Sequence, residues 1–158
     1  MIELTLQDAL VKKIKQLLSE SRLKNENDEI VPINIYPQHP PARTNKRENG
    51  KTGSGPVPYV LVKFIDGGED FKEGPKKAKF LFVIATYDKE KNYQGYRDAM
   101  NIKEKIYQFL KQEPYIDGCE LDHPIRWHMP EDSYYPYYFL GIETDWNMPS
   151  FIPEDIYT

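Results

Sequence analysis

Cys119, Asp122, His123 and His128 are residue types that bind transition metals. Their spacing matches no familiar ligand pattern. On a continuous strand His123 and His128 lie an odd number of residues apart and point to opposite faces, and Pro124 would have to bend the chain to change that. They read as surface or partly buried polar residues. Asn49-Gly50-Lys51-Thr52 looks like the end of a phosphate-binding loop, but that loop needs Gly or Ala five positions before Gly50, where Asn45 stands. It also needs a helix starting at the Lys-Thr pair, and Gly53-Ser54-Gly55-Pro56 follows instead. Ser54 lacks the glycine frame of a nucleophile elbow. Asp66, Glu69 and Asp70 beside Gly67-Gly68 could hold a hard cation, although a solvated hairpin is the ordinary explanation. Glu131 and Asp132 form a second acidic pair that nothing in the sequence places beside the first. His39 has no evident partner. The chain therefore carries no catalytic motif; no enzyme activity, metal or cofactor is expected.

The remaining chemically distinctive stretch is basic. Between Pro37 and Pro56 lie Arg43, Lys46, Arg47 and Lys51 against the one carboxylate of Glu48, a net +3 in a chain of net −4. Residues 37–56 combine prolines, glycines and cations without a hydrophobic period, so they cannot contribute much to a core. A loop this long inside a compact domain is functional or disordered, and here both are expected: mobile alone, ordered against a partner. It is open whether the four cations simply solvate the loop, dock on an acidic protein surface or touch a phosphate backbone. The last would give steeply salt-dependent binding.

These residues sit in a chain of 158 residues with 39% hydrophobic and 29% charged side chains, a composition that fits one globular domain, 1–158. The net charge argues against a general nucleic-acid coat. A single cysteine, Cys119, excludes an internal disulfide and fits a reducing cytoplasm. Residues 1–20 interleave lysines with apolar positions, unlike a signal peptide, and no stretch approaches the ~18 apolar residues of a membrane span. Aromatics reach 13%, twelve of them tyrosine. Tyrosine suits half-buried strands and is also enriched at protein interfaces.

Periodicity predicts two helices and five strands. Leu6, Leu10, Ile14, Leu17 and Leu18 recur on one face of a helix over about 5–21, with Thr5 as N-cap, Asp8 in capping-box spacing, and Asn25 and Asn27 at the exit. Val31 to Tyr36 reads as a short edge strand, because Pro32 cannot donate to a ladder. Residues 57–65 and 78–87 are the strongest strands. Val60, Val62 and Phe64 alternate with Leu61 and Ile65, and Phe80, Phe82 and Ile84 with Leu81, Val83 and Ala85. Both faces are largely apolar, so helices should cover one face and a loop or neighbouring subunit the other. The connection over 66–77 should project. A second helix over 93–112 buries Ala99, Ile102, Ile106, Phe109 and Leu110, turns Lys103, Glu104, Lys105 and Lys111 to water, and ends before Pro114. Strands near 119–127 and 137–146 follow, then an extended tail from Asn147. The fold class is α+β: one domain, a mainly antiparallel sheet of about five strands packed on two helices.

The order helix, three strands, helix, two strands resembles that of the tail terminator (tail completion) proteins of long-tailed bacteriophages. Local similarities fall at Tyr36-Pro37, Pro58-Tyr59-Val60, Tyr87-Asp88, Gly95-Tyr96-Arg97-Asp98 and Gly141-Ile142, and the resemblance runs from the first helix to Trp146-Asn147-Met148-Pro149. It implies a structural protein without catalytic residues. Such proteins form a ring, usually a hexamer, that sits on the last layer of tail-tube subunits, stops polymerisation and meets the head connector. The location implied is the host cytoplasm during assembly and the virion neck afterwards. Tyr59, Leu61, Tyr137 and Phe139, from the strands with spare aromatic surface, are the candidate oligomer interface; Arg43, Lys46, Arg47 and Lys51 are the candidate docking loop. That loop is longer and more basic than the resemblance leads one to expect. Other readings are another neck or tail component, such as a head-completion or tube protein, a small nucleic-acid-binding module, or a small enzyme.

Overall fold

A computed structural model describes residues 2–41 and 57–149. Its elements run α1 (Ile2–Leu17), β1 (Arg22–Lys24), β2 (Ile30–Pro32), β3 (Asn34–Pro37), β4 (Tyr59–Glu69), β5 (Lys76–Tyr87), α2 (Tyr96–Gln112), β6 (Tyr115–Ile116), β7 (Cys119–His128) and β8 (Tyr137–Met148). The class is α+β, as expected. Six strands form one sheet in the order β3-β4-β5-β8-β7-β6, and β1 pairs with β2 in a separate ribbon. All pairings are antiparallel except β3 with β4.

The differences from expectation have local causes. The stretch expected as one strand over 31–36 divides between β2 and β3, which serve different sheets. Pro32 falls in the two-stranded ribbon, and the edge of the main sheet is β3. Asn25 does not close α1. Its carboxamide oxygen accepts from the Asn27 and Glu29 amides in the turn joining β1 to β2, with Asp28 at φ 61°. Nor is Thr5 an N-cap: the helix starts earlier, and the Thr5 hydroxyl donates back to the Ile2 carbonyl. Glu3 marks the true first turn, where an acidic group suits the helix dipole. The hydrogen bond and charge of Lys76 hold its carboxyl below the usual range.

Both helices cover one sheet face. Leu6, Leu10 and Ile14 from α1 and Ala99, Ile102, Ile106 and Leu110 from α2 share one core with Val60, Val62, Phe80, Phe82, Ile84, Leu140 and Ile142. Each strand contributes alternate residues, the period of 2 that the sequence displays. Lys103 contradicts the expected polar face of α2. It is 6% exposed, with its ammonium 4.6 Å from the Trp127 ring centre and 3.2 Å from Glu104 Oε2. Lys103 lies four residues after Ala99 and three before Ile106, so the helix repeat already sets it on the core side. Trp127 on β7 reaches over that spot and covers the aliphatic stem, while the ring face accepts the charge.

The start of the expected loop over 37–56 is pinned to the sheet. Gln38 extends the β3 ladder past its last backbone pair. Its amide donates to the Val62 carbonyl, its carboxamide nitrogen donates to the Phe64 carbonyl, and its carboxamide oxygen accepts from the Phe64 amide. That side chain does the work of one more strand residue just before the bulge between Phe64 and Asp66. Gln7, buried on α1, donates to both Gln38 Oε1 and the Val62 carbonyl. Gln38 takes φ 69°, an unfavourable value for a side-chain-bearing residue, and these bonds hold it there. Gln38→Ala should therefore lose about 2 kcal/mol of stability by leaving Phe64 and Gln7 short of partners. Urea unfolding checks this; a loss below about 0.5 kcal/mol would show that water replaces the side chain without cost.

Candidate interaction surface

Strand pairing decides which side chains share the sheet face away from the helices. Tyr59 on β4 lies opposite Ala85 on β5, which lies opposite Phe139 on β8. In the next row Leu61 meets Val83, Gly141 and, across β8, His128. Tyr87 and Tyr137 pair one row further out, their rings 5.6 Å apart at 64°. The four expected interface residues, Tyr59, Leu61, Tyr137 and Phe139, are thus gathered on one face although they come from distant parts of the sequence. Leu61 and Ala85 are buried, and Tyr59, Val83, Tyr137 and Phe139 are half-buried.

The same face turns polar towards its other end. Lys63, Leu81, Glu143 and Arg126 form one row; beyond the bulges in β4 and β7 comes Asp66, Lys79, Asp145 and Asp122. The expectation of two apolar faces is right for the Tyr59 end and wrong here. Ile65, at the bulge, is 47% exposed. The connection over 66–77 is shorter than expected, because the strands run on to Glu69 and from Lys76 and leave only a six-residue tip, 70–75. Asp66 accepts from the Gly67 amide and Asp70 lies 3.8 Å from Lys77, so these carboxylates belong to a solvated hairpin.

A cleft of about 360 Å³ opens beside the aromatic end. Tyr93 and Tyr96, from the entry to α2, form one wall; Tyr134, Tyr137 and Phe139 form the other. Phe139 touches both neighbours, with ring centres 5.8 Å from Tyr134 and 6.5 Å from Tyr137. Met129 and Pro130 contribute apolar surface, and Glu131 and Asp132 are the charged residues of the lining. Tyr93 is 56% exposed and Tyr134 53%, so much of this aromatic surface faces solvent.

Gly95, just before Tyr96, packs against Tyr138 of the cleft lining. Its φ of −64° is ordinary, so its role is space: a Cβ here would lie 2.5 Å from Tyr138 Cε2 and 2.6 Å from Asp88 Cβ. Gly95→Ala should push Tyr138 or the start of α2 aside and lose about 1–3 kcal/mol. Thermal melting checks this, and a neutral variant would show that the contact yields. Burial, with the Asp88 carboxylate adding to it, pushes the Asp98 carboxyl and the Tyr138 phenol up.

The other expected sites separate. Cys119 lies in the core, where burial raises its thiol further from the thiolate that metals need, while His128 sits against Gly141 on the opposite face. Among the described residues no group of three or more His, Cys, Asp and Glu could hold a metal ion. Arg43, Lys46, Arg47 and Lys51, the phosphate-loop-like 49–52 and Ser54 lie outside the described residues, as does the tail beyond Pro149; Asn147 and Met148 are still in β8. No helix among the described residues is long and apolar enough to cross a membrane. Sequence reading missed the cleft. The density of Tyr134, Tyr135, Tyr137 and Tyr138 after Met129-Pro130 was its available signal, but nothing local brings Tyr93 and Tyr96 there.

No protein-family model and no curated protein matches the chain. One similar solved structure aligns with 89% of this chain and 97% of its own at 12% identity and a TM-score of 0.42. A likeness at that level carries no argument about function.

Proposed function

We propose that this protein is a structural subunit that closes into a hexameric ring, caps a phage tail tube, stops its polymerisation and offers its other side to the head connector. The proposal starts from the resemblance in element order. The observation that carries it is the gathering of Tyr59, Leu61, Tyr137 and Phe139 on the sheet face opposite the helices, continuous with an exposed aromatic cleft. A ring needs a heterologous contact between two different patches of the same chain, and aromatic surface is what such contacts bury. The reading assigns no catalytic residue, metal or cofactor. Its partners are copies of itself, the tail tube protein and the connector, in the host cytoplasm and then in the virion.

Light scattering across a concentration series, with negative-stain imaging with and without tail tubes, tests it. Closed hexameric rings, free or at tube ends, are expected; a monomer that also leaves tube length unregulated overturns it. Reversing Arg43, Lys46 and Arg47 to Glu should leave melting unchanged and impair tail completion. Unchanged completion would remove the loop's docking role.

A further inference from the structure

We infer that the cleft walled by Tyr93, Tyr96, Tyr134 and Phe139 and charged by Glu131 and Asp132 is the receptor for the proline-arginine segment of a second copy of this chain, beginning at Pro40. This deepens the ring reading and rests on it: it names the two patches that meet.

The cleft and the segment are complementary in chemistry. Aromatic-walled grooves take proline, whose ring packs flat on tyrosine, and they take arginine, whose guanidinium stacks on the same faces. Pro40-Pro41-Ala42-Arg43 supplies both, and Lys46 and Arg47 follow. The charged residues of the lining are Glu131 and Asp132, both exposed. Of the cations near the cleft walls, Lys89 pairs with Asp28 and Arg97, next to Tyr96, donates to Gln94 Oε1.

Reach and symmetry favour a neighbouring copy. Gln38 is pinned to β4 beside Phe64, so at about 3.4 Å per residue Arg43 stays within about 17 Å of it and Arg47 within about 31 Å. Tyr137 of the same chain lies seven sheet rows along β5 from the row of Phe64, about 23 Å, and two strands further across, so the proline-arginine start of the segment meets a cleft that a neighbour brings to the β3 edge. Segment and cleft are also different surfaces of one chain, which is what a head-to-tail contact that closes a ring requires. The tyrosines are held by ring contacts, Tyr93 with Tyr135 at 5.0 Å and Tyr134 with Phe139 at 5.8 Å, so docking would order few new rotamers.

The test is a charge swap in the full chain. Glu131→Lys with Asp132→Lys, and separately Arg43→Glu with Arg47→Glu, should each fold normally by circular dichroism and fail to form rings. The chain carrying all four changes should form them again. As a second measurement, chains with Arg47→Cys are mixed with chains carrying Asp132→Cys and treated with a bismaleimide; Cys119 is buried. A cross-link between the two chains is expected. Rings that form despite either reversal overturn the inference and leave the ring reading standing. So does cross-linking confined to a chain that carries both cysteines. If the unaltered chain never forms rings, the ring reading fails and a synthetic peptide of residues 40–48 decides the inference. Binding weakened at least about tenfold by Glu131→Lys with Asp132→Lys supports recognition of the segment. No binding overturns it.

Discussion

Ile106→Asp should abolish folding. Ile106 is fully buried in the middle of the α2 stripe, within the core that both helices and the sheet share. The change removes the packing of a buried aliphatic side chain, about 2–5 kcal/mol, and installs a carboxylate in the core, where Lys103, three residues before it, is already engaged with Glu104 and the Trp127 ring. Together these are comparable to the whole stability of an ordinary domain, about 5–15 kcal/mol. The expected outcome is insoluble or unfolded protein by circular dichroism, with Ile106→Val, at about 1 kcal/mol, as the folded control. A soluble Ile106→Asp protein with normal melting would mean that α2 turns another face to the sheet.

Trp146→Ala should cost about 3–5 kcal/mol. Trp146 is the largest fully buried side chain and lies between Ala78 and Leu121 in the sheet register. Its indole donates to Thr144 Oγ1 at 2.9 Å, and the Thr144 hydroxyl donates in turn to the Phe80 carbonyl at 2.9 Å. Removing the indole opens a cavity and strips an acceptor of its donor. Trp146→Phe separates the two effects: it fills most of the space and should lose about 1–2 kcal/mol. Denaturant unfolding of both variants measures the difference, and equal losses would assign the effect to the hydrogen bond instead of the cavity.

The two predictions differ in how readable their sites were. The α2 face of Ile106 follows from residues three and four apart on one helix, so the sequence alone points to the core. At Lys103 the same spacing points to the core side while the charge points to solvent; what settles its burial is the cover of Trp127, 24 residues later on β7. Trp146 could be placed on a strand from its neighbours, but its link through Thr144 to Phe80 depends on β8 lying beside β5.

The candidate surface divides in the same way. Tyr59 and Leu61, like Tyr137 and Phe139, share a face within each strand by simple alternation. That the two pairs lie on one patch required Ala85 to stand between Tyr59 and Phe139, a matter of strand order. Gln38, inside a stretch with every mark of a loop, became part of the ladder because the Phe64 amide and carbonyl needed partners, and a carboxamide can supply both.

By itself, then, the sequence determined what short-range periodicity can encode: two amphipathic helices, the strong strands β4 and β5, the further strands β7 and β8, and an α+β class. Tertiary structure alone decided the six-strand order, the parallel placement of β3, the burial of Lys103 and the meeting of Tyr93 and Tyr96 with Tyr134 and Phe139 around Glu131 and Asp132. The physical reason is range. A side chain's preference for helix, strand or burial acts over a few residues, whereas a sheet register or a cleft is set by backbone hydrogen bonds and packing between segments whose separation in the chain carries no such signal.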